Sequence, residues 1–190
     1  VTLKLISYMD QFLEDEVNLR EYKLKLLNDK VEIIDQFLGE NKELSDIYVK
    51  SISHGSYGQK TIINPVKEAD EFDADLLIEM NENQEWDAKE YIEKIYREFR
   101  NNKKYSDIVK KGTRCVIINY KGDFHLDLAP YIKKSDGKTY IVNIRENEFE
   151  ETNPEAYKEW LKNKNDNSNG QLKKVVKLFK YLRDHKQTFS

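Results

Sequence analysis

The chain has 190 residues, of which 38% are hydrophobic and 35% charged, and its formal net charge is −3. This composition predicts one folded domain with part of a second, excludes a disordered chain and gives no global attraction to nucleic acid, so any polyanion contact must be local. No apolar run is long enough to cross a bilayer, and the first segment is too polar and acidic for a signal peptide, so we expect a cytoplasmic protein without membrane contact.

Periodic apolar residues indicate the elements of the first hundred residues. From about Leu3 to Leu44 they recur at three- and four-residue spacings, which predicts one long or once-broken amphipathic helix with an end near Gly39. Alternation over Phe72–Ile78 predicts a strand whose core face is made by Phe72, Ala74, Leu76 and Ile78. The other predicted elements are a strand at Ile47–Ile52, a glycine-bounded turn at His54–Gly58 and a helix at Trp86–Arg100 that covers the sheet.

The second half of the chain predicts a hairpin followed by helices. Arg114–Tyr120 and Phe124–Ala129 are two β-rich runs joined by a short glycine-containing connection at 121–123. Cys115 is the only cysteine, which excludes an intrachain disulfide and a cysteine-based zinc site, and we expect it to be a buried thiol. The remaining predicted elements are a strand at Lys138–Asn143, a helix starting at Thr152–Glu155, a polar linker at Asn163–Asn169 and a last helix at Gln171–Lys186.

Three aspartates carry the candidate chemistry. Asp73 and Asp75 project from one side of their strand, because residues two apart in a strand point the same way. Two ionised carboxylates so close are unfavourable unless a cation neutralises them, and hard oxygen ligands suit Mg²⁺ or Mn²⁺. In the hairpin, Phe124, Leu126 and Leu128 should enter the core while Asp127 points the other way. If the two strands are neighbours, the three carboxylates would hold two metal ions about 3.5–4 Å apart, the geometry of in-line nucleotidyl transfer.

The turn before the first carboxylate strand supplies a phosphate-binding element. Gly55 would let the backbone approach a polyphosphate, and the Ser56 hydroxyl with nearby backbone N–H groups would bind its oxygens. A Gly-Ser pair or a single Asp-x-Asp carries little weight alone, so the prediction depends on their order and spacing.

This order of motifs resembles the polymerase-β-like nucleotidyltransferases. The matching segments are His54-Gly55-Ser56-Tyr57-Gly58, Asp73-x-Asp75 and His125-Leu126-Asp127-Leu128-Ala129-Pro130. Within that superfamily the chain is similar to the bacterial cGAS/DncV-like family, which is itself similar to oligoadenylate synthetases. Thr152-Asn153-Pro154, Trp160 and the run Val175–Leu182 resemble the linker and spine helix of that family, so the resemblance covers most of the chain.

The resemblance implies a fold, a set of roles and a reaction. The fold is α+β, with a small, mixed, twisted sheet backed by helices and a long N-terminal helix. Asp73, Asp75 and Asp127 would be the catalytic metal ligands, and Gly55, Ser56 and Lys180 would bind the nucleotide. Relatives of this kind use two Mg²⁺ or Mn²⁺ ions to join nucleoside triphosphates into cyclic oligonucleotide second messengers, which activate antiphage effectors in bacteria. An activating accessory protein or ligand is a further implied partner.

The resemblance also implies domain boundaries, and this chain departs from the family pattern in two respects. Residues 1–150 would form the catalytic core, and 151–190 a linker and spine helix leading to a helical C-terminal domain that the chain lacks. Because the base-gripping residues of the family lie in that domain, base choice is not readable here. Where many relatives have Gly-Thr after the Gly-Ser turn, this chain has Lys60-Thr61, and Lys60 would either stiffen the loop or add a phosphate contact.

Several other polar and aromatic residues stay outside the predicted site. His54 and His125 are expected to be packed or hydrogen-bonded histidines. Arg114 would contact either phosphate or a carboxylate, and Lys173 and Lys177 are further candidates on the basic face of the last helix. We expect the two tryptophans, Trp86 and Trp160, in the core.

Three functions compete at this point. The first is synthesis of a cyclic or linear oligonucleotide from nucleoside triphosphates alone. The second is transfer of one nucleotide to a tRNA, a protein or a small molecule, which would require that acceptor for turnover. The third is a nucleotide-binding module without turnover. Stable nucleic-acid binding is left open.

Overall fold

The computed structural model describes residues 2–67 and 70–186. Residues 1 and 68–69 of the expected catalytic core, and residues 187–190 of the expected linker and spine helix, lie outside it. The helices are α1 (Thr2–Phe12), α2 (Glu21–Glu40), α3 (Gly55–Gly58), α4 (Ala88–Asn101), α5 (Pro154–Asn167) and α6 (Gln171–Lys186), and a π-helical turn, Leu13–Val17, follows α1. The strands are β1 (Tyr48–His54), β2 (Phe72–Asn81), β3 (Val109–Lys111), β4 (Val116–Tyr120), β5 (Phe124–Lys133), β6 (Thr139–Asn143) and β7 (Glu148–Glu151). The described chain is therefore α+β, as expected.

One mixed sheet organises these elements, with the strand order β1-β2-β5-β4-β3. Strands β2 and β5 are parallel, whereas β1 pairs with β2, and β4 with β5, in antiparallel fashion. Strand β6 pairs with the far end of β5 and carries β7 on its other edge. As a result, the end of β1 and the beginnings of β2 and β5 meet at one end of the sheet.

One face of the sheet is a hydrophobic core covered by α2 and α4. All the core residues predicted in the two carboxylate strands are buried: Phe72, Ala74, Leu76, Ile78, Phe124, Leu126 and Leu128. Helix α4 buries Tyr91, Ile95 and Phe99, and α2 buries Leu27, Ile34 and Leu38. Because alternate residues of β2 and β5 are held in this core, the residues between them must face the opposite side.

The long N-terminal helix is broken once. Helix α1 ends in the π-helical turn, the chain is extended at Asn18, and α2 begins at Glu21 and ends one residue after Gly39. Asn18 forms an isolated bridge with Ile63, and the Asn64 N–H donates to the Val17 carbonyl at 2.8 Å. The break therefore ties the N-terminal segment to the residues that follow α3.

Three sequence predictions need correction. The polar linker predicted at Asn163–Asn169 is wrong over most of its length, because α5 continues to Asn167 with side-chain support such as the Lys162–Asp166 ion pair at 2.7 Å. Trp160 is not a core residue, since it is 52% exposed and stacks on Tyr157. Strands β3 and β7 were not predicted.

Over the described residues, no helix is long and apolar enough to cross a membrane.

A capping box begins α4, and it gives a test of the fold. The Asp87 side chain accepts from the Glu90 N–H, and the Glu90 side chain accepts from the Asp87 N–H. We expect Asp87→Ala to lower the free energy of unfolding by about 1 kcal/mol, because an orphan helix N–H loses its partner. Thermal unfolding followed by circular dichroism should show Tm lower by about 2–4 °C. Asp87 Oδ2 also accepts from Asn147 Nδ2 at 3.1 Å, and Asp87→Ser loses that contact as Asp87→Ala does but keeps a capping oxygen. Asp87→Ser should therefore be more stable than Asp87→Ala, and equal losses in the two variants would contradict the capping role.

Candidate active site

The carboxylates meet where β1 ends and where β2 and β5 begin. Asp75 is the register partner of His54 on β1 and of Asp127 on β5, and Asp73 is the partner of His125. Register partners in neighbouring strands lie on the same face of a sheet. The strand pairing that the sequence left conditional is therefore present, and Asp73, Asp75 and Asp127 share the face opposite the core.

Negative charge is concentrated at this point of the sheet. Burial raises the pKa of Asp75, the Asp73 carboxylate raises it further, and His54 and Lys180 oppose the shift. Burial also raises the pKa of Asp127, with a smaller contribution from Asp75. Since each carboxylate makes its neighbour harder to ionise, a bound cation would stabilise the ionised set.

Asp73 is the exposed member of the set, and it points toward His125. Its side chain is 78% exposed, and one carboxylate oxygen lies 3.3 Å from His125 Nδ1. Across residues 2–67 and 70–186, no three His, Cys, Asp or Glu side chains are arranged as they stand to hold one ion. Because little packing surrounds Asp73, a change of rotamer toward Asp75 and Asp127 meets little resistance.

A network behind Asp73 was missed by the sequence reasoning. His125 Nε2 lies 2.7 Å from a carboxylate oxygen of Glu71, and the Gly122 N–H donates to the other Glu71 oxygen at 2.7 Å. The network ties the entry to β2 to the β4–β5 turn. His125 was expected to be packed or hydrogen-bonded, and its contacts agree with that, whereas nothing in the sequence indicates Glu71.

Cys115 contacts the third carboxylate from β4. Its Sγ donates to Asp127 Oδ2 at 3.5 Å, and burial raises the pKa of the thiol to about 12. The thiol therefore stays protonated, and it orients Asp127 without offering a thiolate ligand. Cys115 is only partly buried, which is less than expected.

The glycine turn packs directly against Asp75. Gly55 has φ = +52°, and a Cβ built on it would lie 1.9 Å from Asp75 Oδ2. At the other end of α3, a Cβ on Gly58 would lie 2.2 Å from the Ser53 carbonyl oxygen. The Ser56 carbonyl accepts from the amides of Thr61 and Ile62 at 2.8 and 3.0 Å. Gly55 is thus required for the turn to lie this close to Asp75, and Gly58 for the turn to pack against the end of β1.

Ser56, Asp73 and Lys180 line one cleft of about 220 Å³, which we call the carboxylate cleft. Lys180 is half-buried and its Nζ donates to the Thr61 carbonyl at 3.2 Å. Burial and the nearby Arg183 lower the pKa of Lys180, while Asp184 and Asp75 oppose the shift. The structure therefore brings Ser56 and Lys180 together with Asp73, and Gly55 together with Asp75, whereas Asp75 and Asp127 do not line this cleft.

Three residues with open roles lie outside the carboxylate cleft. Arg114 forms a bidentate ion pair with Glu150, at 2.9 and 2.8 Å, so it contacts a carboxylate. Lys173 and Lys177 line a separate pocket together with Lys60 and Lys174, and none of the four lines the carboxylate cleft.

A mixed sheet that presents a Gly-Ser turn and strand-borne carboxylates on one face defines the polymerase-β-like nucleotidyltransferase class. Residues 3–165 match the family described as the Second Messenger Oligonucleotide or Dinucleotide Synthetase domain, and the chain belongs to this family of cGAS/DncV-like nucleotidyltransferases.

Relatives and solved structures agree with this assignment. The chain is 27% identical over 140 residues to a c-di-GMP synthase of Roseivirga ehrenbergii, covering 71% of the chain and 37% of that protein. It is 28% identical over 146 residues to a cyclic AMP-AMP-AMP synthase of Acinetobacter sp., covering 75% and 42%. The structure of CdnC of E. coli MS115-1 with ATP matches with a TM-score of 0.69 at 21% identity, covering 95% of the chain and 58% of CdnC. The chain thus spans about two fifths of the length of these curated relatives.

Substitution of Gly55 tests the close packing of the turn. We expect Gly55→Ala to lower the free energy of unfolding by more than Gly137→Ala does. Both glycines have a positive φ, which costs an alanine about 1–2 kcal/mol, but nothing lies within 4 Å of a Cβ at Gly137. The added contact with Asp75 should lower the free energy of unfolding, as measured by urea titration, by about 1–3 kcal/mol more. Equal losses in the two variants would show that only φ matters at Gly55.

Ionisation of Asp75 predicts a pH-dependent stability difference. Because its pKa is raised in the folded protein, the ionised carboxylate destabilises the fold, and this cost appears as the pH rises through the folded pKa. We expect Asp75→Asn to have a higher Tm than wild type at pH 7. The difference should shrink as the pH falls through the raised folded pKa and be lost below the ordinary aspartate value of about 3.9, where the carboxyl is neutral in both states. A Tm below wild type at pH 7 would contradict the unfavourable ionisation.

Proposed function

We propose that the chain is the catalytic part of an enzyme that joins nucleoside triphosphates into a cyclic or linear oligonucleotide second messenger and releases pyrophosphate. The observation that supports this most directly is the register pairing of Asp75 with Asp127, with Gly55 packed against Asp75. The family membership and the two named synthases support the same reaction class. Residues 1–150 would form the core, and 151–190 the linker and spine helix leading to a helical C-terminal domain.

The carboxylates fit divalent metal ions. The donors are hard oxygens. Burial in the first place, and the neighbouring carboxylates in the second, raise the pKa values of Asp75 and Asp127, and a bound cation would offset both effects. The Cys115 thiol donates to Asp127 Oδ2 at 3.5 Å and so orients one of these oxygen donors. Asp73, Asp75 and Asp127 would hold two Mg²⁺ or Mn²⁺ ions, which would activate the acceptor hydroxyl and neutralise charge on the leaving pyrophosphate.

The residues of the chain would position the reactants for in-line displacement. Ser56 and Lys180 would bind the triphosphate, with Gly55 allowing the backbone to approach it. The acceptor hydroxyl oxygen then forms a bond to the α-phosphorus, the bond from that phosphorus to the β-bridging oxygen breaks, and the hydroxyl proton passes to solvent. Positioning and charge stabilisation supply most of the rate in such a transfer.

Partners and location follow from the same proposal. The substrates would be nucleoside triphosphates, and the protein would act in the cytoplasm, where these substrates are abundant. E. coli CdnC has also been solved in a complex with HORMA-deltaN, which supports an activating accessory protein for this chain too. A role in bacterial antiphage signalling agrees with the family.

Incubation with labelled ATP, GTP, CTP and UTP tests the activity. With Mg²⁺ or Mn²⁺ we expect pyrophosphate release and a phosphatase-resistant oligonucleotide on chromatography. Asp75→Asn should reduce the rate at least ~100-fold, because a metal-binding charge is lost while the side-chain shape is kept. Asp107→Asn removes an equal charge at an exposed site, so it should keep the wild-type rate.

Two results would contradict the proposal. Turnover that appears only when a tRNA, protein or small-molecule acceptor is added would favour acceptor-dependent transfer of one nucleotide. Nucleotide binding without product from any mixture, with or without the accessory protein, would favour a binding module.

A further inference from the structure

A second pocket, of about 410 Å³, lies beside α6 and the N-terminal segment. We call it the lysine pocket, and its lining residues are Asp10, Leu13, Glu14, Asn18, Lys60, Lys173, Lys174 and Lys177. It shares no lining residue with the carboxylate cleft. Segment 60–63 contributes Lys60 to the pocket, and Ile62 and Ile63 to the cleft, so this segment separates the two.

The charges of the lysine pocket are unbalanced. Four lysines line it against two carboxylates, and one of those carboxylates, Asp10, is already paired with Lys174 at 2.6 Å. Within residues 2–67 and 70–186, no acidic side chain lies within ion-pair distance of Lys60, Lys173 or Lys177. An anion in the pocket would therefore meet uncompensated positive charge.

Lys177 is the most constrained of these lysines. It is half-buried, and its Nζ donates to the neutral side chain of Asn18 at 2.8 Å. Burial, together with Lys173 and Lys180, lowers the pKa of Lys177. A half-buried ammonium group among other cations is stabilised by a bound anion, just as the half-buried carboxylates are by a cation.

Lys60 reaches the pocket from a strained backbone. Its φ is +57°, in the left-handed region that a lysine rarely adopts and that glycine would adopt without steric cost. The conformation is fixed by the surrounding turn, in which the Lys60 N–H donates to the Tyr57 carbonyl at 3.1 Å. Strain that persists at a side chain lining a basic pocket points to a role for that side chain.

We propose that the lysine pocket binds a small anion carrying two or more phosphate or carboxylate charges, held by Lys60, Lys173 and Lys177. The volume suits a small metabolite, and the α6 lysines stand four residues apart, on one face of the helix. The occupant is coupled to the carboxylate cleft through Thr61, whose N–H donates to the Ser56 carbonyl and whose carbonyl accepts from Lys180. An anion that moves Lys60 therefore moves the segment that positions both nucleotide-binding side chains.

Calorimetric titration without divalent metal tests the binding. The probes are tripolyphosphate and citrate, which separate a phosphate ligand from a carboxylate ligand. We expect at least one probe to bind wild type with a Kd below ~1 mM and to bind Lys60→Gly/Lys173→Ala at least ~10-fold more weakly, since two charge-assisted contacts are lost. Glycine keeps the backbone conformation at position 60, so the folded structure should be preserved.

Two matched variants make this result specific. Lys162→Ala/Lys164→Ala removes two exposed charges from α5, and Ser56→Ala/Lys180→Ala alters the carboxylate cleft. The first should keep the wild-type affinity for both probes, and the second should weaken citrate binding less than Lys60→Gly/Lys173→Ala does, if citrate binds. The proposal is overturned if neither probe binds wild type below ~1 mM, if Lys60→Gly/Lys173→Ala binds both as wild type does, or if the α5 variant loses as much.

Coupling between the two sites has its own readout, which rests on the proposed function. At fixed free Mg²⁺ and saturating nucleoside triphosphate, which excludes competition by the probe in the carboxylate cleft, the probe that binds should change the rate of pyrophosphate release at least ~2-fold in wild type and leave the rate of Lys60→Gly/Lys173→Ala unchanged. An equal response in both proteins would overturn the coupling. Absence of turnover would count against the proposed synthase and leave the calorimetric result to decide the binding site.

Discussion

The parallel pairing of β2 with β5 is the constraint on which the candidate site depends. It makes Asp75 and Asp127 direct neighbours, and a slip of one residue would turn one of the two strands over. The register is held from the other face of the sheet, where alternate residues of both strands are buried and Phe72 stacks on Phe124 with ring centroids 5.1 Å apart. The hydrophobic core thus specifies which side chains the opposite face of the sheet presents.

This arrangement costs local stability. Two half-buried carboxylates repel each other, and the turn before β2 must adopt a left-handed backbone at Gly55 to lie against Asp75. The surrounding contacts offset these costs: the Cys115 thiol holds Asp127, and Glu71 fastens His125 to the β4–β5 turn. Such opposition between stability and function is typical of sites that are completed only by a ligand.

The sequence was most informative where periodicity and burial coincide. Alternation in Phe72–Ile78 and Phe124–Ala129 predicted the core faces, because in a strand a period of two leaves one possible buried set. Prediction from the sequence failed where the stabilising contact joins residues that are distant in the sequence, and where the element is too short to form a pattern. Strand β3 has three residues, the polar end of α5 is helical through side-chain pairs, and Glu71 reaches His125 by a contact that periodicity does not encode. The roles of the site residues themselves remain predictions.

Helix α6 connects the two polar regions of the molecule. Lys173, Lys177 and Lys180 are spaced by four and three residues, so they lie along one face of the helix, with Lys180 beside the carboxylates and the other two in the lysine pocket. The π-helical turn packs on the same helix, and Asn18 bridges to Ile63 in the segment between the regions. Since packed helices and paired segments move as units, a displacement of α6 that brings Lys180 toward a triphosphate also shifts the lysine pocket. The two regions therefore share α6, and we expect binding of a ligand in one region to change the affinity of the other.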